Sequence, residues 1–174
     1  MGWSPLHVAS QTGHLEVVRF LVEYNNADVS VEDARGCSPL HFASQNGHLN
    51  VVRYLVEMNA DGIGKYYGGT TALHVASLND HLEVVRFLIE AKADVNVKDN
   101  EEGRTPLHFA VENGHLKVVR FLIEVGADVN AMDNNGWTPL PHAICNGHEE
   151  VVRLLTDALG DGSVCPHLKK RRSE

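Results

Sequence analysis

The chain has 174 residues, 43% of them hydrophobic, and a formal net charge of −8. That length and composition suit one folded domain, and no stretch approaches the ~18 consecutive apolar residues that would span a bilayer. An acidic body repels phosphate backbones, which argues against nucleic acid as a partner of the main surface.

In chain order, the first recognisable phrase is Ser4-Pro5-Leu6-His7, followed by Gly13-His14 and the apolar run Val17-Val18-Arg19-Phe20-Leu21. It returns as Ser38-Pro39-Leu40-His41 with Gly47-His48, and as Thr71-Ala72-Leu73-His74 with Asp80-His81. Thr105-Pro106-Leu107-His108 with Gly114-His115 is the fourth copy, and Thr138-Pro139-Leu140-Pro141 with Gly147-His148 is the altered fifth. The spacing is about 33 residues. A fixed period of this length means one small unit stacked on itself, each copy burying its apolar face against its neighbours.

Within a unit the order of signals is constant. Asp128 to Trp137 is rich in turn formers and predicts an extended finger with a tight turn near Asn134-Asn135-Gly136. A Ser or Thr then offers an N-cap, and proline suits the first helical position, where no backbone N–H is needed. In the clearest copy a short helix runs from Thr105-Pro106 to about Asn113. Gly114 stops it, since glycine enters the left-handed region without a Cβ penalty. A longer helix follows at about Leu116–Val125, with Val118, Val119, Leu122 and Ile123 at helical spacing.

The Thr-Pro-Leu-His phrase, the Gly-His pair and the period resemble the ankyrin repeat, over residues 1 to about 160. The resemblance implies an all-α repeat solenoid, each repeat a β-hairpin finger plus two antiparallel helices. Five repeats are expected at about 1–27, 28–60, 61–93, 94–127 and 128–160, with a basic, disordered C-terminal tail at 161–174. It also implies a protein–protein interaction scaffold that binds through a concave groove of fingers and short helices. The alternative is a regulatory or targeting segment of a larger enzyme, channel or transcription regulator, since the chain opens inside a unit at Met1-Gly2-Trp3.

The copies depart from one another in informative places. Asn25-Asn26 and Asn100-Glu101-Glu102 each hold one extra residue, the mark of an exposed turn. The third finger, Gly62 to Thr70, carries four glycines and the pair Tyr66-Tyr67; it reads either as a drifted loop or as a finger shaped for a partner. Asp80 stands where the other copies have glycine. Pro141 replaces the phrase histidine, and His142 takes a slot held by Val8, Phe42, Val75 and Phe109. A more polar short helix would suit an end unit facing water.

Eleven histidines invite a metal or acid–base reading, but all except His167 lie at repeat positions or one residue from them. The family resemblance gives the phrase histidines hydrogen bonds within and between units. His142, Cys145 and His148 do not aim at one point on a helix. No phosphate loop and no paired nucleophile and base are present, so no enzyme, cofactor or small-molecule substrate is expected. Arg19, Arg53, Arg86, Arg120 and Arg153 recur at one position of the longer helix and are expected solvated or paired with carboxylates. Asn96 and Asn130, in Leu-x5-Asp-Val-Asn, resemble the family's asparagine hydroxylation sites; a turn-stabilising role is the competing reading. Three cysteines at unrelated positions and the absence of an Asn-x-Ser/Thr sequon fit a cytoplasmic location. Lys169-Lys170-Arg171-Arg172 reads as a solubilising end or as a nuclear import signal.

The resemblance places partner contacts at the finger tips and at the exposed ends of the short helices. These are Trp3, Arg35, Gln45, Asn46, Tyr66, Tyr67, Leu78, Asn79, Glu101, Glu102, Arg104, Glu112, Asn113, Asn134, Asn135, Trp137, Cys145 and Asn146. The expected partner is another protein, bound by a monomer with no membrane contact.

Overall fold

The computed structural model describes residues 2–58 and 68–160. The third finger, with Tyr66 and Tyr67, and the tail at 161–174, with its basic run, therefore lie outside the described residues. Ten helices are present among the described ones, in five pairs: α1 (Pro5–Thr12) and α2 (Leu15–Glu23), α3 (Pro39–Gln45) and α4 (Leu49–Met58), α5 (Ala72–Leu78) and α6 (Leu82–Glu90), α7 (Pro106–Glu112) and α8 (Leu116–Glu124), α9 (Pro139–Cys145) and α10 (Glu149–Leu159). The array is an all-α solenoid. Its fingers are tighter than a β-hairpin with a strand ladder. Each described turn is closed by a backbone bond at 2.9 Å, from Asp33 N–H to the Cys37 carbonyl, Asp99 N–H to Arg104 and Asp133 N–H to Trp137; Gly36 N–H and Gly136 N–H add a second bond, to the Asp33 and Asp133 carbonyls at 2.9 and 3.0 Å.

Helices this short are marginal alone. They persist because each short helix packs on the next short helix and each long helix on the next long one. Leu73, Leu88, Leu107, Leu122 and Leu155 are wholly buried in that stack, and Val51, Val84 and Val118 fill one repeated register. Each such side chain contributes roughly 1.5–3 kcal/mol when fully withdrawn from water.

The starts of the short helices are built as the phrase predicts, with histidine as the third element of the cap. In α1, α3, α5 and α7 the histidine at the third helical position reaches back to the N–H of the cap residue: His7 Nδ1 accepts from Ser4 N–H at 3.0 Å and His74 Nδ1 from Thr71 N–H at 3.0 Å. Pro141 cannot do this, and α9 has no such reciprocal cap. The helix nevertheless keeps seven residues. His142 also does not face open water as expected. Its slot points to the preceding unit, where its ring meets the His108 ring edge-on at 5.6 Å, as Phe42 meets His7 and Phe109 meets His74.

Glycine after the short helix serves a second purpose that its φ alone does not reveal. At Gly13, Gly47 and Gly114 a Cβ would stand 2.5–2.6 Å from the imidazole of the next unit's His48, His81 or His148. Asp80 does hold the left-handed φ of 61° that its position demands. The long helices end through left-handed residues of mixed type, Asn26, Lys92 and Gly126, and the extra residue at Asn25-Asn26 is absorbed in that turn.

Candidate functional site

The finger and short-helix face is organised by buried aspartates. Asp33 Oδ1 accepts from Arg35 N–H at 2.8 Å and Cys37 N–H at 2.9 Å; Asp133 Oδ1 accepts from Asn135 N–H at 2.8 Å and Trp137 N–H at 2.9 Å. Asp99 receives Glu102 and Arg104 in the same way. Burial alone would raise the Asp33 carboxyl. The N–H groups of Cys37 and Arg35 and the Trp3 indole outweigh it and hold the pKa below the ordinary value. Asp133 is likewise held down, against burial, by Trp137 N–H, His142 and Asn135 N–H. Sequence reading treated these residues as generic turn formers. The available signal is an aspartate five or six residues before the Ser38, Thr105 and Thr138 caps, with Tyr66 at that place in the third unit.

Adjacent fingers are tied tip to tip. Asn134 N–H donates to the Glu102 carbonyl at 2.8 Å, its side-chain amide to the Glu101 carbonyl at 3.1 Å, and Asn100 N–H to Gly68 at 2.6 Å. Arg104 lies between Glu102, 2.6 Å from Nε, and Glu112, 2.8 Å from Nη1. Trp3 donates its indole N–H to Asp33 Oδ2 at 3.2 Å and meets the Phe42 ring edge-on at 4.8 Å, yet stays 38% exposed. Trp137 packs on His142 at 5.4 Å and stays 43% exposed.

The contact positions read from sequence thus separate by chemistry. Arg35, Gln45, Glu101, Glu102, Asn134, Asn135 and Cys145 are exposed. Leu78 and Glu112 are half-buried, and their carbonyls accept from His115 at 2.8 Å and His148 at 2.9 Å. Asn46, Asn79, Asn113 and Asn146 fold their amides onto the carbonyl four residues back, at 2.7–3.1 Å, which makes them helix ends first. Near Cys145, His142 bonds Asp133 Oδ2 at 3.1 Å and His148 the Glu112 carbonyl at 2.9 Å. Asn96 bridges two units, donating to Gly126 O at 3.3 Å and accepting from Asp128 N–H at 2.8 Å, while Asn130 N–H donates to Asp128.

The phrase histidines close each unit on the next. His7 Nε2 meets the Cys37 carbonyl at 3.0 Å, His41 meets Thr70 at 3.3 Å, His74 meets Arg104 at 3.0 Å and His108 meets Trp137 at 3.2 Å. With Nδ1 accepting from the cap N–H and Nε2 donating to a carbonyl, the bonding pattern is that of a neutral ring. Burial pushes His108 down from 6.5 to about 4; the Trp137 carbonyl opposes this only in part.

A family model described as ankyrin repeats (3 copies) matches residues 1–66, 25–99 and 91–164. The chain belongs to the ankyrin repeat family. No curated protein matches it. The family model is counted in overlapping spans of three, whereas the helix pairs number five. Ankyrin repeats are in general protein-interaction modules and typically non-catalytic. Among the described residues no helix is long and apolar enough to cross a membrane.

The long-helix face of these ankyrin repeats holds an arrangement that sequence reading missed. Arg19 lies over the Tyr54 ring at 5.3 Å, Arg53 over Phe87 at 4.6 Å and Arg86 over Phe121 at 4.3 Å. Each of these three guanidiniums stacks on an aromatic ring of the next unit while remaining exposed to solvent, as expected for the ladder. Carboxylates are secondary, with Arg19–Glu23 at 3.7 Å and Arg153–Glu149 at 3.8 Å. Tyr54 O–H also donates to Glu23 at 3.3 Å, and burial followed by the Glu23 charge raises the Tyr54 pKa. The available signal was the aromatic residue directly after the arginine in the first four units; the fifth has Leu154.

Proposed function

We propose that this ankyrin repeat chain is a scaffold that binds a partner protein through the groove of its fingers and short helices. The observation that supports this reading is the pair of half-exposed tryptophans, Trp3 and Trp137, with exposed Arg35, Glu101 and Asn135 at the described finger tips. Aromatic anchors with neighbouring charge are the composition of interface hot spots. Domain limits at 1–160 and a cytoplasmic or nuclear location belong to the same proposal. So do a protein, in place of a small molecule, nucleic acid or membrane, as the partner, and the absence of catalysis.

The test is a chain with alanine at Trp137, Tyr67 and Arg104 together, measured against a partner first recovered by pull-down and identified by mass spectrometry. Circular dichroism controls the fold. A loss of affinity of at least about tenfold, roughly 1.4 kcal/mol, supports the groove. Unchanged affinity on an intact fold removes the groove as the binding face.

A further inference from the structure

Asparagine is followed by glycine at Asn46-Gly47, Asn113-Gly114, Asn135-Gly136 and Asn146-Gly147. The pair has a chemistry of its own. Glycine carries no Cβ, so its backbone nitrogen reaches the preceding side-chain amide with the least hindrance. All these asparagines are exposed, so exposure does not separate them. Their hydrogen bonds do. Asn46, Asn113 and Asn146 end short helices, and each donates its side-chain amide to the carbonyl four residues back, Phe42, Phe109 or His142, at 2.8, 3.1 and 2.9 Å. That bond directs the amide back along the helix. Gly47 and Gly114 are pinned besides, since a Cβ on either would stand 2.5 or 2.6 Å from Nδ1 of His81 or His148. The peptide after Asn46 or Asn113 turns only if a helix end and a junction between units both loosen.

Asn135 stands instead at a finger tip. Its backbone N–H is held by Asp133 Oδ1 at 2.8 Å, but its side-chain amide has no partner among the described residues. Gly136 N–H donates to the Asp133 carbonyl at 3.0 Å, and this is the bond that must open. A turn bond at a loop tip opens at lower cost than a packed helix end. The exposure of this place is not peculiar to the fifth unit. Arg35 and Glu102 directly precede Gly36 and Gly103 in fingers that have a unit after them, and both are exposed.

We propose that Asn135 is the asparagine the fold leaves open to spontaneous deamidation, a modification that needs no enzyme and takes solvent water as its co-reactant. Gly136 N gives its proton to a solvent base and bonds to Asn135 Cγ. The Cγ–Nδ2 bond breaks, and the nitrogen leaves as ammonia. Water then opens the cyclic imide at one carbonyl or the other, leaving aspartate or isoaspartate; nothing is oxidised or reduced. Either product puts a new carboxylate into the finger that already holds Asp133. Isoaspartate also adds a methylene to the main chain, inside the turn that Asp133 N–H closes on the Trp137 carbonyl at 2.9 Å. The finger tip next to Trp137 thus changes charge, and in part length, with the age of the molecule. Its effect on partner binding rests on the groove proposed above; the reaction does not.

The test ages the full chain at mildly alkaline pH, once folded and once unfolded in guanidinium, and follows each asparagine by mass spectrometry of proteolytic peptides. Circular dichroism confirms the folded state throughout. In the folded chain Asn135 is expected to deamidate at least about tenfold faster than Asn46, Asn113 or Asn146. In guanidinium the rates are expected to converge, because the bonds that separate these residues are gone. Folded rates that are alike, or a lead by Asn46, Asn113 or Asn146, overturn the proposal. So does a lead of Asn135 that persists undiminished in guanidinium, since the fold would then have no part in the choice.

Discussion

The imidazole of His148 lies directly against Gly114: a Cβ there would stand 2.6 Å from Nδ1, while Nε2 of the same ring bonds the Glu112 carbonyl at 2.9 Å. The glycine and the histidine of the repeated Gly-His pair are therefore partners across the junction, each glycine serving the histidine of the following unit. The same relation joins Gly13 to His48 and Gly47 to His81.

Gly114→Ala combines a strained backbone with a blocked junction, and the expected loss is roughly 2–4 kcal/mol. Asp80 is the natural version of that substitution. Its φ is 61°, and His115 still reaches Leu78 O at 2.8 Å, with Nδ1 3.9 Å from the Asp80 carboxylate. Asp80→Gly should stabilise the chain by about 0.5 kcal/mol, the relief of strain being partly offset by glycine's freedom when unfolded. Urea denaturation curves of both variants measure the two changes; a destabilised Asp80→Gly would contradict the strain argument.

The arginine ladder ends for want of a ring. In the fifth unit Leu154 holds the sequence position that Tyr54, Phe87 and Phe121 hold beneath Arg19, Arg53 and Arg86, so Arg120 has no ring at that register. Leu154→Phe should add about 0.5 kcal/mol of coupling to Arg120, read from a double-mutant cycle with Arg120→Ala. A coupling energy indistinguishable from zero would show that the ladder geometry does not transfer to the last junction.

Acid should weaken the array in two ranges. The His108 pKa is about 4 in the folded chain against an ordinary 6.5, so the neutral ring's contribution is complete above 6.5. It is lost as pH falls from 6.5 to 4, because the unfolded chain takes up the proton first; the full loss is about 3 kcal/mol. Asp33 and Asp133 have folded pKa values below the ordinary 3.8. Their contribution is complete above that value and disappears below it. Stability measured against pH should slope upward between 4 and 6.5, and His108→Gln should flatten that slope. An equal slope in the variant would assign the effect elsewhere.

Removing the finger's internal acceptor should cost more than its exposed neighbourhood suggests. Asp133→Ala strands the N–H groups of Asn135 and Trp137 and frees His142. A destabilisation of about 3 kcal/mol is expected, with hydrogen exchange at Asn135 and Trp137 rising more than at Leu122 in the core. Uniform exchange across the chain would mean that the aspartate acts on the whole stack and not on its own finger.

Much of this fold could be read from residues because its determinants are local. Thr105-Pro106 starts a helix and Gly114 ends one whatever lies beside them, and Val118, Val119, Leu122 and Ile123 declare their common face by spacing alone. What escaped are relations between units. Asp99 looks like any turn former until Arg104 N–H is seen to return to it. The Phe121 ring beneath the exposed Arg86 lies thirty-five residues on, and nothing local to the arginine announces it. His142 looks like a concession to water because sequence does not say which neighbour its slot faces. Position in the unit marks a residue as a candidate partner contact, but position does not reveal that Asn46 and Asn79 spend their amides on their own helices.

The two bonds from Asn134 to Glu102 and Glu101 fasten one loop to the next before any guest arrives. Whatever docks on those loops meets a surface already set, and little conformational freedom is surrendered in the encounter. Discrimination among guests then rests on fit to a fixed outline, and a change of guest calls for new side chains rather than a rearranged backbone.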